Sequence, residues 1–253
     1  MPSEKRIAKH FPNVITLLNL VSGCLSIVSA FEGQLEVAGL FIILAGIFDF
    51  FDGFTARLIG SYTQLGKELD SLSDVVSFGV APTFIVYHLM RNAMGLNPSD
   101  GIFSGYWLLL VPFIMAAFSS LRLGLFNIDE RQTSSFIGLP TPANAFLIAG
   151  LVFGLDSSWA GIFRYITSSP WVMVGIVLVE SFLLVCELPM FSLKIKTLAF
   201  SKSYKQFALV IGAIILLIVF SKASLSLIIL WYILLSVAFY FTDKIASPKG
   251  KSL

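Results

Sequence analysis

The chain has 253 residues, of which 57% are hydrophobic and only 13% charged, and its mean hydropathy is +0.88. Soluble domains carry about 25% charged residues, so this composition excludes an ordinary soluble fold and points to a polytopic membrane protein. The formal net charge of +2 says little; the placement of the positive charges says more.

Residues 1–11 carry Lys5, Arg6 and Lys9 with Ile7, Ala8 and Phe11 between them, which reads as a cytoplasmic or interfacial segment. No cleavable signal peptide is expected, because the first apolar stretch is long enough to span. At about 20 apolar residues per span, helices are expected near 12–31, 36–60, 69–91, 106–127, 140–156, 170–190, 206–221 and 224–242. The fifth is short, and only a few residues separate the last two. The first carries Asn13, Thr16 and Asn19 at three-residue steps. Polar side chains in a span face protein, here for helix–helix hydrogen bonds or for contact with a ligand.

The end of the second span and the start of the third hold the densest polar information: DFFDGFTARLIGSYTQLGKELDSLSD, Asp49 to Asp74. As helices, this places Asp49 and Asp52 on one face, and Asp70 and Asp74 on another. Carboxylates at membrane depth are costly and mark a functional site by default. Four of them without a nearby His or Cys make a hard oxygen site suited to Mg²⁺, Mn²⁺ or Ca²⁺. Two such ions can hold a phosphate pair. Gly53 and Ala56 leave room against the helix, Arg57 offers a fork for phosphate, and Gly66 thins the facing helix. A purely structural charge network is the alternative, but one arginine would leave four acids uncompensated.

Further along, the 92–105 loop reads as turn chemistry, and Asp100 and Asp156 as solvated charges. Arg122, near the end of the fourth span with Asn127 beyond it, either holds an anionic group or snorkels to the interface. Gly138–Pro142 marks a sharp turn back, with Thr141 a candidate cap for the fifth helix. Cys24 and Cys186 read as small core hydrophobes. The basic tail suits an anionic lipid surface. With the N-terminus inside, 14 of 17 basic residues fall on cytoplasmic segments, Arg91, Arg164 and Lys222 being the exceptions. That puts the aspartates at the cytoplasmic face of the membrane. The expected organisation is a terminal segment 1–11, one transmembrane domain 12–243 and a tail 244–253.

The pattern D-x2-D-G-x2-A-R-x8-G-x3-D-x3-D, filled by Asp49, Asp52, Gly53, Ala56, Arg57, Gly66, Asp70 and Asp74, resembles the signature of the CDP-alcohol phosphotransferase family without a departure. The resemblance implies an all-α integral membrane fold, with a six-helix core and about two added helices. It also implies a homodimer, a pair of Mg²⁺ or Mn²⁺ ions, and displacement of CMP from a CDP-linked donor by an alcohol. By position, Asp49, Asp52, Asp70 and Asp74 match metal ligands, with Asp74 also the base. Gly53, Ala56, Arg57, Thr63, Gly66 and Asn19 match donor contacts. PNVITLLNLVSG, GKELDSLSDVVSFGVAP, LRLGLFN and FIGLPTPANA are most similar to the bacterial branch that joins CDP-diacylglycerol to L-serine. Arg122 and Lys67 are then the candidate acceptor contacts. Glycerol 3-phosphate or inositol phosphate is the alternative acceptor, and a cation or dicarboxylate transporter the alternative class. Membrane lipids are expected partners and nucleic acid is not.

Overall fold

A computed structural model describes residues 11–97, 99–128, 136–191 and 200–246. They form an all-α bundle of α1 Phe11–Phe31, α2 Leu35–Ile59, α3 Gln64–Ala93, α4 Trp107–Ile128, α5 Thr141–Leu155, α6 Ala160–Thr167, α7 Pro170–Val185, α8 Phe200–Phe220 and α9 Ser224–Ala246. The first four run for 21, 25, 30 and 22 residues and are apolar enough to cross a membrane. This is a multi-pass membrane protein. The terminal segments expected at 1–10 and 247–253, and the basic residues at 129–135 and 192–199, lie outside the described residues; α9 continues past 243 to Ala246.

Each expected span meets a helix, with boundaries moved for identifiable reasons. The third helix begins at Gln64 rather than 69. Thr63 is extended, and its Oγ1 accepts from the Gly66 N–H at 3.0 Å, a cap that starts the helix inside a polar stretch. The seventh ends at Val185 rather than 190, where Cys186 takes extended backbone (φ −65°, ψ 149°) and the chain enters a two-residue strand. That strand, Pro189–Met190, pairs antiparallel with Phe136–Ile137. Residues Ser203–Asp243 form a 41-residue apolar stretch, which as one helix would be about 60 Å long, twice the hydrocarbon thickness. It folds back instead at Ser221–Ala223, with Ser221 at φ 47°. Lys205 Nζ meets Asp243 Oδ2 at 2.7 Å across the resulting hairpin.

The bundle closes on small residues. Gly39 of α2 faces Phe153 of α5, where an added Cβ would sit 3.1 Å from the ring. At the turn back into α5, Gly138 takes φ +76°, and a Cβ there would lie 2.5 Å from the Leu184 carbonyl. The Gly138 and Leu139 N–H groups donate to the carbonyls of Leu188 at 2.9 Å and Leu183 at 2.7 Å, tying α5 to α7. Thr141 does not cap α5: Pro140 holds the cap position, and the buried Thr141 Oγ1 has no partner among the described residues. α5 has 15 residues and bends by 119° into α6, and α7 has 16.

Three readings change. Cys24 is exposed on α1, not in the core; Cys186 is partly buried, and both are free. Asp156 is not merely solvated. Lys222 Nζ meets its Oδ2 at 2.5 Å and Glu36 Oε1 at 3.3 Å, tying α2, α5 and the α8–α9 turn at the end opposite the aspartates. The ammonium beside Asp156 holds its carboxyl below the usual range. Asp100 likewise has a local role, accepting from the Asn97 N–H at 3.1 Å.

Candidate active site

The last turns of α2 and the opening of α3 meet across Gly60–Thr63. Gly60, at φ +64°, closes α2 by donating to the Ala56 and Arg57 carbonyls. This reversal sets Asp49 and Asp52 of α2 against Asp70 and Asp74 of α3. Asp49, Asp70 and Asp74 each offer an oxygen within 4.8 Å of the other two. Asp52 is buried beside them, one turn toward the cavity.

Asp74 is held from one side by α1. Asn19 Nδ2 donates to Asp74 Oδ1 at 3.1 Å, and Ser77 Oγ donates to the Asn19 carbonyl at 2.9 Å. The helices can approach this closely because Gly23 stands opposite Ser77, where a Cβ would fall 2.7 Å from the Ser77 Cα. Directly after Asp74 the helix widens into a π turn, Val75–Val80, with Ala81 donating to the Val76 carbonyl. Pro82, which has no N–H for the carbonyl four residues back, sits where that shift in register is tolerated. From the other side α4 closes in: a Cβ on Gly79 would lie 3.1 Å from that of Ser119. One turn beyond Ser119, Arg122 is 6% exposed. It does not snorkel. Its guanidinium lies over the Phe126 ring, 5.1 Å from the centroid, within electrostatic range of Asp74 and Tyr232.

A cavity of about 230 Å³ opens beside the carboxylates. Asp52 and Asp70 form its inner wall, Gly53 and Ala56 one side, Thr63, Gly66 and Lys67 another, and Asn13 and Thr16 the α1 side. Nothing lies within 4 Å of a Cβ placed on Gly53, so that wall is flat and open. Asn19 does not line the cavity but braces Asp74 from behind it. Arg57 is exposed on the last turn of α2, outside the cavity wall. Lys67 is exposed at the rim, with Nζ 3.5 Å from the Asn127 carbonyl, and Asn127 itself donates to Ser71 Oγ at 2.8 Å.

The donor set fits divalent cations. Asp52 Oδ2 and Asp70 Oδ1 are buried without a hydrogen-bond partner, and among the described residues no basic side chain pairs with any of the four aspartates. Buried carboxylates left this way need compensation. An all-oxygen set offers it to a hard ion.

Sequence reasoning missed Ser61 and Tyr62, which line the cavity inside the motif itself. Residues 9–169 match the profile of the CDP-alcohol phosphatidyltransferase family.

The chain belongs to that family.

CDP-alcohol phosphatidyltransferases are generally dependent on divalent metal, in keeping with the acidic cluster here. The matched segment contains α1–α6; α7, α8 and α9 lie beyond it. Among relatives, the chain is 35% identical to the CDP-diacylglycerol–serine O-phosphatidyltransferase of Bacillus subtilis over 144 residues, 57% of this chain and 76% of that one. It is 35% identical to the archaetidylserine synthase of Methanothermobacter thermautotrophicus over 153 residues, 59% of this chain and 61% of the relative. A CDP-diacylglycerol–serine O-phosphatidyltransferase of Methanocaldococcus jannaschii is 36% identical over 137 residues, 54% and 57% of the two chains. The chain thus spans less than two thirds of the two archaeal proteins.

Proposed function

We propose that this protein transfers the phosphatidyl group of CDP-diacylglycerol to the hydroxyl of L-serine, giving phosphatidylserine and CMP. The observation that carries this reading is the meeting of Asp49, Asp70 and Asp74 within 4.8 Å, beside a cavity walled by Asp52, Gly53 and Ala56. The names of the relatives support the acceptor.

Asn19 fixes Asp74 through Oδ1 and leaves the other carboxylate oxygen to take the proton from the serine hydroxyl. The freed oxygen attacks the phosphorus on the diacylglycerol side. A phosphorus–oxygen bond forms as the bond to the CMP oxygen breaks, and CMP leaves. The flat Gly53–Ala56 wall and the Thr63–Gly66 turn hold the nucleotide side of the donor, and Arg57 reaches its phosphates from the rim. Arg122, buried on the far flank of Asp74, takes the carboxylate of serine; Lys67 at the rim is its rival. Asp49, Asp52, Asp70 and Asp74 would hold two divalent ions, Mg²⁺ or Mn²⁺. Bound there, such ions supply neutralising charge for the diphosphate.

A phosphorylated acceptor would call for a basic cluster, and among the described residues the surroundings of the aspartates offer only Arg57, Lys67 and Arg122. The active site faces the cytoplasm of a bacterial inner membrane, where serine and nucleotide are found, and the enzyme works as a homodimer. Purified protein given CDP-diacylglycerol with serine, glycerol 3-phosphate or inositol phosphate, and scored for CMP, tests the reading. Serine-dependent release is expected; release with another acceptor alone would overturn it, and solute flux without CMP would indicate a transporter.

A further inference from the structure

Tyr62 stands on the turn between α2 and α3, and the backbone on both sides of it is fixed. Before it, behind the left-handed Gly60, the Ser61 N–H donates to the Ala56 carbonyl at 3.0 Å. After it, Thr63 caps α3 by accepting from the Gly66 N–H. The side chain itself is uncommitted. Among the described residues it makes no hydrogen bond, ion pair or ring contact. It is 75% exposed, yet it lines the cavity beside the aspartates. A tyrosine at a membrane turn can serve as an interfacial anchor. What sets this one apart is that its support is rigid and the space beside it is a cavity rather than open lipid.

The order of groups along that cavity limits what the ring can meet. Asp52 and Asp70 form the inner wall, so a diphosphate bound through them sits deepest. The rest of the nucleotide then runs past Gly53, where a Cβ would meet nothing within 4 Å, toward the turn that carries Tyr62. CDP-diacylglycerol has one flat aromatic group, the cytosine ring; its phosphates, ribose and acyl chains have no face to stack. We infer that Tyr62 is the platform on which the cytosine ring of the donor stacks, at the mouth of the cavity. This rests on the proposed reading of the donor and is independent of the acceptor. Because the backbone on both sides of Tyr62 is already held, binding orders little more than one side chain. Stacking uses the face of the ring and not the hydroxyl, so the contact adds affinity for a base without choosing its hydrogen-bonding edge.

The test is calorimetric binding of CDP and of pyrophosphate to the full-length protein in detergent with Mg²⁺, which needs no turnover. Both probes carry the diphosphate, and only CDP carries the base. Tyr62→Leu, which keeps an apolar side chain for the membrane interface, should weaken CDP binding at least about fivefold. Its affinity for pyrophosphate and its melting temperature should match the wild type. Tyr62→Phe should bind CDP within about twofold of the wild type. Unchanged CDP binding in Tyr62→Leu, an equal loss for pyrophosphate, or a loss in Tyr62→Phe as large as in Tyr62→Leu would each overturn the inference. A wild-type protein that does not bind CDP would overturn the donor reading and this inference with it. If the wild type binds CDP and Tyr62→Leu binds it equally well, only the stacking role fails.

Discussion

At the scale of single residues, the site separates into groups that hold charge and groups that hold those groups. Asp74→Asn keeps the contact with Asn19, since an amide oxygen can still accept from Nδ2, but it cannot take a proton. CMP release should fall by at least about a hundredfold, with donor binding largely retained on the three other aspartates. Near-normal release would remove Asp74 as the base. Chelation should abolish turnover, and Mg²⁺ or Mn²⁺ should restore it where Zn²⁺ does not, since every ligand is a hard oxygen. Chelator-resistant turnover would refute the metal assignment. Arg122→Ala should weaken serine use well over tenfold, because losing one partner of a desolvated charged contact costs about 2–5 kcal/mol. Lys67→Ala, at the exposed rim, should change it little; serine KM values in the two variants decide between them. The aspartates were legible in the sequence because their spacing and their cost at membrane depth are both local properties. Tyr232 was not. Its burial against Leu139, Met190 and Phe191 joins residues far apart in the chain, and its surroundings LIILWYILL look like any lipid-facing helix.

At the scale of helices, the quality of the site depends on how closely α1 can lie against the π turn of α3. Gly23→Ala would place a methyl against Ser77, with Ser77 Cα only 2.7 Å away, so backbone must move. Overpacking of this kind costs about 1–3 kcal/mol. It should also pull Ser77 from the Asn19 carbonyl and loosen Asp74, so activity should fall further than the melting temperature alone implies. A variant that loses stability but keeps its kcat would show that α1 does not brace the base. Spans were readable from hydropathy along the whole chain, and the hairpin of α8 and α9 from the few polar residues between them. Helix starts set by a side-chain cap, as at Thr63, and the change of helical register at Val75–Val80 were not, since neither alters the apolar pattern. The turn at Gly138 was legible because glycine and two prolines announce it, although the cap expected at Thr141 fell one residue away at Pro140.

For the whole molecule, the matched family segment and the helices beyond it share one bundle, tied by the Gly138–Leu184 approach at one end and the Lys222 ion pairs at the other. The shortness of α5 and α7 matters to more than packing. Their 15 and 16 residues rise only about 23 and 24 Å, against a hydrocarbon layer of about 30 Å. α5 is enclosed by the bundle, whereas α7 exposes Trp171, Leu178, Val179 and Phe182, and where α7 meets lipid the membrane must pinch inward or the protein must tilt. Either response would bring headgroups closer to the depth of the proposed site and make bilayer thickness a variable in turnover. Turnover in proteoliposomes of short-chain phosphatidylcholine should exceed that in long-chain vesicles at equal donor density. Equal rates across thicknesses would mean that the segments flanking α7 make up the missing length.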